Sequence, residues 1–303
     1  MRINEISGMT LGTVQLGLDY GIANKEGKPD EEKAFGILDT AFATGINCLD
    51  TASDYGDSEK VIGKYLSLRK KKRHDLVIVT KFKLGNISQS DAETKMLKSV
   101  EKSLERLNTN YLDILLMHDA NEYSLYGDKV TKVFERLLAE GTIRKAGASC
   151  YKFNEIESMT DLDIFQAFQI PVNLLDMRIT RGNGSVKLKN KLVFARSVFL
   201  QGLFFLDPST LKGNLKEIDK YLVKIRDIAR EMKMPVSQLS VTYVNSLEYI
   251  NSLVIGADNP EQVRENIKLF DHAPLDANII SSIEESLKGA PEWLFMPGLW
   301  DKQ

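Results

Sequence analysis

Cysteine is scarce in this chain. Cys48 and Cys150 are the only two in 303 residues, and neither belongs to a CxxC pair or another metal-ligand spacing. That argues against a disulfide framework and against the common zinc sites, so no metal is expected. An excess of one charge is lacking too. Lys and Arg number 40 against 42 Asp and Glu, a net charge of -2. Without a basic excess, no nucleic-acid partner and no anionic membrane surface is expected. The one basic cluster, Leu68–His74, reads as a solvated helix end and loop. Long apolar runs are also missing. The opening MRINEISGMT lacks a signal peptide's apolar segment, and Leu192–Leu206 is interrupted by Arg196 and Gln201. A soluble, cytoplasmic protein is the expectation. Gly12, Gly17 and Gly21 do not have GxGxxG spacing, and no Walker A, GxSxG, HExxH or EF-hand loop occurs.

What is present is a regular alternation. With 43% hydrophobic and 27% charged residues the composition is that of a globular protein. The stretch Ile46–Gly56, INCLDTASDYG, has an apolar run ending at Asp50, with Tyr55 five residues on. Leu76–Thr80 ends at Lys81 in the same way, and Leu112–Met117 ends at His118. Further strands are expected at Met9–Leu16, Ile143–Ser149, Ile164–Ile170, Leu192–Val198 and Leu253–Ile255, with Met1–Ile6 and Met9–Leu16 forming an N-terminal hairpin. Between them lie helical patterns. Asp30 caps one with Phe35, Leu38, Ala41 and Phe42 inward, and Ser58 caps the next. Ser90 and Glu93 read as a capping box, and Asn259, Pro260 and Gln262 open the last barrel helix. Gly141 ends a helix, and Leu215–Met232 and Val236–Ser246 are two more. About eight strand-helix units without a linker imply an α/β (β/α)8 TIM barrel with an N-terminal hairpin and a C-terminal helix and tail, one domain over residues 1–303.

Taken singly, Asp50, Tyr55, Lys81 and His118 have ordinary structural explanations. Barrel closure changes that, because strand ends two, three and four meet at one rim, where barrels keep their chemistry. A free phenol has a pKa of about 10, and a nearby ammonium lowers it. A carboxylate beside the lysine keeps the lysine charged and fixed, and a neutral imidazole donates a hydrogen bond to a substrate oxygen. Such a set protonates a developing alkoxide or deprotonates an alcohol. Nothing in it carries electrons, so a hydride must come from a cofactor.

These residues resemble the aldo-keto reductase superfamily over nearly the whole chain. The resemblance is carried by LGTVQLGLDYG (Leu11–Gly21), NCLDTASDYG (Asn47–Gly56), VTKF (Val79–Phe82), YLDILLMHD (Tyr111–Asp119), RKAGAS (Arg144–Ser149), RSVFLQGLFF (Arg196–Phe205) and IGADNPEQVREN (Ile255–Asn266). It implies a barrel that binds a nicotinamide dinucleotide without a Rossmann domain and interconverts carbonyls and alcohols. The family's catalytic tetrad falls on Asp50, Tyr55, Lys81 and His118, with Tyr55 as proton donor. On the cofactor side, Ser149 and Gln169 match the carboxamide positions, with Asn173 close by. Ser197, Leu200 and Gly202 match the pyrophosphate loop. Gly256, Asp258, Gln262, Glu265 and Asn266 match the adenine side, and Gly12 and Thr13 join the cofactor set.

Two positions depart from the family pattern. Cys150 stands where an asparagine often follows the serine, and it reads as inert packing. Asp258 stands where some members carry a basic residue. Its carboxylate repels a 2′-phosphate and suits free ribose hydroxyls. Arg264 and Lys268 are nearby candidates for a phosphate contact. The resemblance thus favours NADP(H), with NAD(H) admitted by Asp258. Substrates are expected to be small aldehydes, ketones or aldoses, with Trp293, Phe295 and Trp300 of the tail either lining a pocket or packing. The protein is expected as a monomer or homo-oligomer. Two rival readings are a lyase forming a Schiff base on Lys81 and a cofactor-binding regulatory subunit that turns over slowly.

Overall fold

Each apolar run of the sequence becomes a short strand: β1 Met9–Gly12, β2 Cys48–Asp50, β3 Val77–Phe82, β4 Leu112–Met117, β5 Ile143–Ser149, β6 Phe165–Pro171, β7 Leu192–Arg196 and β8 Ser252–Gly256. The computed structural model describes residues 6–22, 24, 27–69, 73–180 and 184–300. Every strand pairs in parallel with the next, and β8 returns to β1 with Met9 opposite Leu253 and Gly12 opposite Gly256. The barrel is closed, so no sheet edge is left unpaired.

Strand periodicity sorts the side chains into two layers. Cys48, Val77, Val79, Ile114, Leu116, Ala167 and Phe194 form the small cluster inside the barrel. Leu49, Ile78, Leu115, Phe168 and Val193 belong to the larger core under the helices. Two residues further along each inward row stand Asp50, Lys81, His118, Gln169 and Arg196. The rows are thus apolar in the middle of the barrel and polar at its C-terminal rim.

The outer ring consists of α1 Val14–Gly17, α2 Glu31–Ala43, α3 Ser58–Leu68, α4 Ala92–Leu107, α5 Glu122–Ala139, α6 Phe153–Thr160, α7 Gly184–Leu188, α8 Asp219–Glu231, α9 Val236–Asn245 and α10 Pro260–Lys268, followed by α11 Ala277–Leu287. Asp30 accepts from the Lys33 amide and Asn259 from the Gln262 amide, caps worth about 1 kcal/mol each. Gln262 does not close a box on Asn259; its side-chain oxygen accepts from the Asp258 amide at 2.7 Å.

Other local expectations fail for identifiable reasons. Ser58 is not a cap: it is fully buried and its hydroxyl donates to Thr13. Ser90 and Glu93 form no capping box, because the helix begins at Ala92 and Ser88 bonds Asp91 instead. The run from Leu215 to Met232 is split, with Gly213–Ile218 as 3-10 turns before α8. The first strand stops at Gly12 rather than Leu16, where the chain turns into α1. It is a barrel strand between β2 and β8, and the hairpin's other arm, Met1–Glu5, lies outside the described residues. Part of the basic cluster, residues 70–72, does too.

Candidate active site

Asp50 ends β2 and Lys81 lies near the end of β3; both side chains are buried. The Lys81 ammonium donates to Asp50 Oδ1 at 2.7 Å and Oδ2 at 2.9 Å, and to the Thr51 carbonyl at 2.9 Å. It also reaches the Tyr55 hydroxyl at 3.5 Å. Burial lowers the Lys81 pKa, with the Asp50 charge opposing it. Asp50 is held from a second side by the Gln169 amide nitrogen at 2.7 Å. With its hydrogens directed at these acceptors and no exposed surface, Lys81 is poorly placed to attack a carbonyl, which disfavours Schiff-base chemistry.

Tyr55 is carried by the turn between β2 and α3. The turn hangs on three supports. The Ser53 amide donates to the Lys81 carbonyl at 2.9 Å. Arg106 of α4 donates to the Ser53 carbonyl at 3.3 Å and to buried Glu59 at 3.0 Å. Glu59 in turn accepts from Thr80 at 2.7 Å. The third support is contact with Gly17, where an added Cβ would come within 1.8 Å of the Tyr55 carbonyl oxygen. Gly56, at φ +55°, would likewise meet the Gly17 carbonyl at 2.4 Å. Only two bare backbones pack this closely.

A neighbouring ammonium would lower the Tyr55 pKa, but the phenol here is raised. Burial pushes the phenol well above its usual range, and the Asp50 charge adds to this. The Lys81 charge is spent on Asp50, so little of it is felt by the phenol. Because Lys81 donates to the phenol oxygen, the phenol hydrogen stays free for another acceptor. The ring meets His118 edge-on at 5.7 Å between centroids.

His118 Nδ1 lies 2.8 Å from Asp54 Oδ1. Burial would raise the Asp54 carboxyl, but the hydrogen bond and charge of His118 outweigh it and hold Asp54 below its usual range. An ionised carboxylate only accepts, which puts the proton on Nδ1. Nε2 then carries a hydrogen only when the ring is doubly protonated. Asp54 thus fixes the imidazole beside Tyr55.

A cleft of about 970 Å³ opens over this group. Of the candidate residues, Gly12, Thr13, Asp50, Tyr55, His118, Ser149, Gln169, Ser197, Gly202, Gly256, Asp258, Gln262, Glu265 and Asn266 all line it. Three candidates do not. Lys81 lies beneath the cleft. Asn173 is buried and donates to the Ser197 carbonyl at 3.1 Å, so it braces the loop from behind. Leu200 is buried in the core at φ +48°. The loop itself is unusual: Ser197, Leu200, Gln201 and Gly202 all have positive φ, a strain that clusters at ligand sites. Cys150 is fully buried, and burial raises its thiol well above the usual range, consistent with packing.

Of the two alternatives for the tail's aromatics, the structure shows packing. Met296, Pro297, Gly298 and Leu299 line the cleft, whereas Phe295 and Trp300 are buried away from it and Trp293 packs on the core. Arg264 pairs with Glu261 at 2.8 Å, and neither it nor Lys268 lines the cleft. Arg196 also lines the cleft, a position the motifs do not single out. Its signal was available: it continues the inward row of Phe194 by one strand period. The cleft suits a nicotinamide dinucleotide on its own evidence. It is extended and reaches from the four polar groups to the start of α10, and Arg196 Nη2 and Gln15 Oε1 are buried in its wall without a partner.

The sequence pattern of the aldo/keto reductase family matches residues 8–288, and the chain belongs to that family. It is 27% identical over 306 residues to an uncharacterised oxidoreductase of Bacillus subtilis, covering 94% of each chain. It is 26% identical over 291 residues to the norsolorinic acid reductase of Aspergillus flavus, covering 87% of this chain and 73% of that one. The holo form of an aldo-keto reductase from Bacillus halodurans superposes with a TM-score of 0.78 at 25% identity, covering 96% of this chain and 95% of that one. Family and fold together support an NAD(P)H-dependent oxidoreductase acting on small carbonyl compounds. Among the described residues no helix is long and apolar enough to cross a membrane, and no cluster of His, Cys, Asp or Glu could hold a metal.

Proposed function

We propose that this protein reduces the carbonyl group of small aldehydes, ketones or aldoses, with Tyr55 as the proton donor. The observation that carries this reading is the convergence of Tyr55, Lys81, Asp50 and His118 at one mouth of the barrel, with Lys81 donating to both Asp50 and Tyr55. A bound reduced nicotinamide supplies the hydride. Ser149 and Gln169 would hold its carboxamide end. Ser197 and Gly202 would cradle the pyrophosphate, aided by Gly12 and Thr13. Gly256, Asp258, Gln262, Glu265 and Asn266 would take the adenine end. Asn173 and Leu200 hold the loop rather than the ligand.

The substrate oxygen would sit between the Tyr55 hydroxyl and His118 Nε2. Tyr55 is protonated throughout the neutral range because burial raises its pKa. It is a weak acid, but an alkoxide is a much stronger base than a phenolate, so proton transfer runs downhill once charge builds on oxygen. Lys81 then stabilises the phenolate through its hydrogen bond. His118, fixed by Asp54, orients the substrate carbonyl beside Tyr55. Asp50 and Gln169 fix Lys81 and take no part in proton transfer.

NADP(H) is the cofactor favoured by family. Asp258 and Glu265 line the adenine end, while Arg264 is engaged by Glu261, so NAD(H) is accepted at comparable efficiency. The test is a screen of aldehydes, ketones and aldoses with NADH and NADPH, followed by loss of dihydronicotinamide absorbance. Carbonyl-dependent oxidation of both is expected. No turnover with any carbonyl would count against the enzyme reading in favour of a regulatory subunit. A preference for NADPH above about 100-fold would remove the argument from Asp258.

A further inference from the structure

Arg196 is a charge at the active site to which the mechanism above gives no task. It ends β7 and points inward in the same row as Phe194. Its guanidinium carbon lies 4.1 Å from the centroid of the Tyr151 ring. Nη1 reaches the Ser197 hydroxyl at 3.4 Å, while Nη2 is buried without a partner. Arg196 therefore stands between Ser149 and Gln169 on one side and the strained loop beginning at Ser197 on the other. On the proposed reading, that is where the nicotinamide ring and its ribose belong.

The charge balance around it is uneven. Among the described residues that line the cleft, Arg196 is the one lysine or arginine. The Asp50 carboxylate is paired with Lys81, and Asp54 is hydrogen-bonded to His118. The other lining carboxylates, Asp258 and Glu265, belong to the far end, at α10. Among the described residues, Arg196 has no carboxylate partner of its own and its Nη2 is buried without one, so its charge stands unpaired. That charge is felt across the end: burial raises the Tyr20 and Tyr55 phenols, and Arg196 pulls both back down. A guanidinium keeps its charge at every working pH, and stacking on Tyr151 hinders it from swinging away.

The two redox forms of the dinucleotide differ at one place. The oxidised nicotinamide ring is a cation, and the reduced ring is neutral. We propose that Arg196 sets the redox preference of the cleft, admitting the reduced dinucleotide and disfavouring the oxidised one, so that the protein works in the direction of carbonyl reduction. Like charges held close in a partly dry site repel far more strongly than in water. Expelling the oxidised form after hydride transfer also favours product release. The inference rests on the proposed function, because it needs the nicotinamide at the Tyr55 end.

The test is equilibrium binding without substrate. Wild type, Arg196→Gln and Arg196→Lys are titrated with the reduced and oxidised forms of both dinucleotides, followed by protein fluorescence or calorimetry. Wild type should bind the reduced form at least about tenfold more tightly. Arg196→Gln should bring that ratio to within about threefold, chiefly by tightening the oxidised form. Arg196→Lys keeps the charge and should keep most of the ratio. A wild-type ratio near one would overturn the inference. Equal weakening of both forms in Arg196→Gln would also overturn it, and would make Arg196 a phosphate contact. Unchanged binding, with KM raised for an aldehyde acid but not for its neutral analogue, would assign Arg196 to the substrate and overturn it too. These three results leave the proposed function standing, whereas no binding of either form would overturn both.

Discussion

Lys81 shows how a single residue can matter to stability and chemistry at once. Its ammonium has no exposed surface and is held by Asp50, Thr51 and Tyr55. Taking such a pair out of water is costly, and the two Asp50 contacts, the Thr51 carbonyl and the Gln169 bond to Asp50 offset that cost. Lys81→Met should therefore do two things. It leaves a carboxylate buried without its cation, which should cost about 3–5 kcal/mol in denaturant unfolding. It also removes the donor to the phenol oxygen, and kcat should fall by about 100-fold or more. Adding Asp50→Asn should recover part of the stability and none of the rate. Equal recovery of both would mean that Lys81 acts only by holding the fold.

At the scale of elements, the β2–α3 turn is set by its neighbours more than by its own sequence. Gly17 of α1 lies against the Tyr55 carbonyl, and Arg106 of α4 grips the Ser53 carbonyl and Glu59. An alanine at position 17 cannot fit without moving that turn, because its Cβ would lie 1.8 Å from a backbone oxygen. Gly17→Ala should cost about 1–3 kcal/mol of stability and displace the phenol. At least about tenfold loss of kcat is expected, since catalytic geometry tolerates less than an ångström of error. Dinucleotide affinity should change far less, which paired binding and steady-state measurements would show. If kcat is unchanged, the turn is not held by this contact.

For the whole molecule, the barrel separates stability from chemistry. Near the opposite, N-terminal end, buried Asp113 pairs with Arg73 at 2.6 Å and Arg144 at 3.0 Å, and both guanidiniums stack on Tyr111. At the C-terminal rim the inward rows end in the polar groups of the cleft. Much of this was legible in the sequence. Apolar runs such as LVIVT and LDILLM located the strands, and the residues just past three of them supplied Asp50, Lys81 and His118. Less legible was whatever depends on a third element. Ser58 looked like a cap because its bond to Thr13 joins residues 45 apart. The direction of the Tyr55 pKa is not legible because the sequence shows neither how deeply the phenol is buried nor that the Asp50 charge faces it. Arg196 is legible from strand parity, although in the sequence it looks like an interruption of an apolar run. The central claim is that Tyr55 supplies the proton at a site assembled by barrel closure. The most direct test is Tyr55→Phe, measured for dinucleotide affinity and for kcat with a carbonyl that the wild type reduces. The account predicts affinity within about threefold of wild type and kcat reduced by at least about 100-fold; a variant that still reduces the carbonyl at the wild-type rate would contradict it.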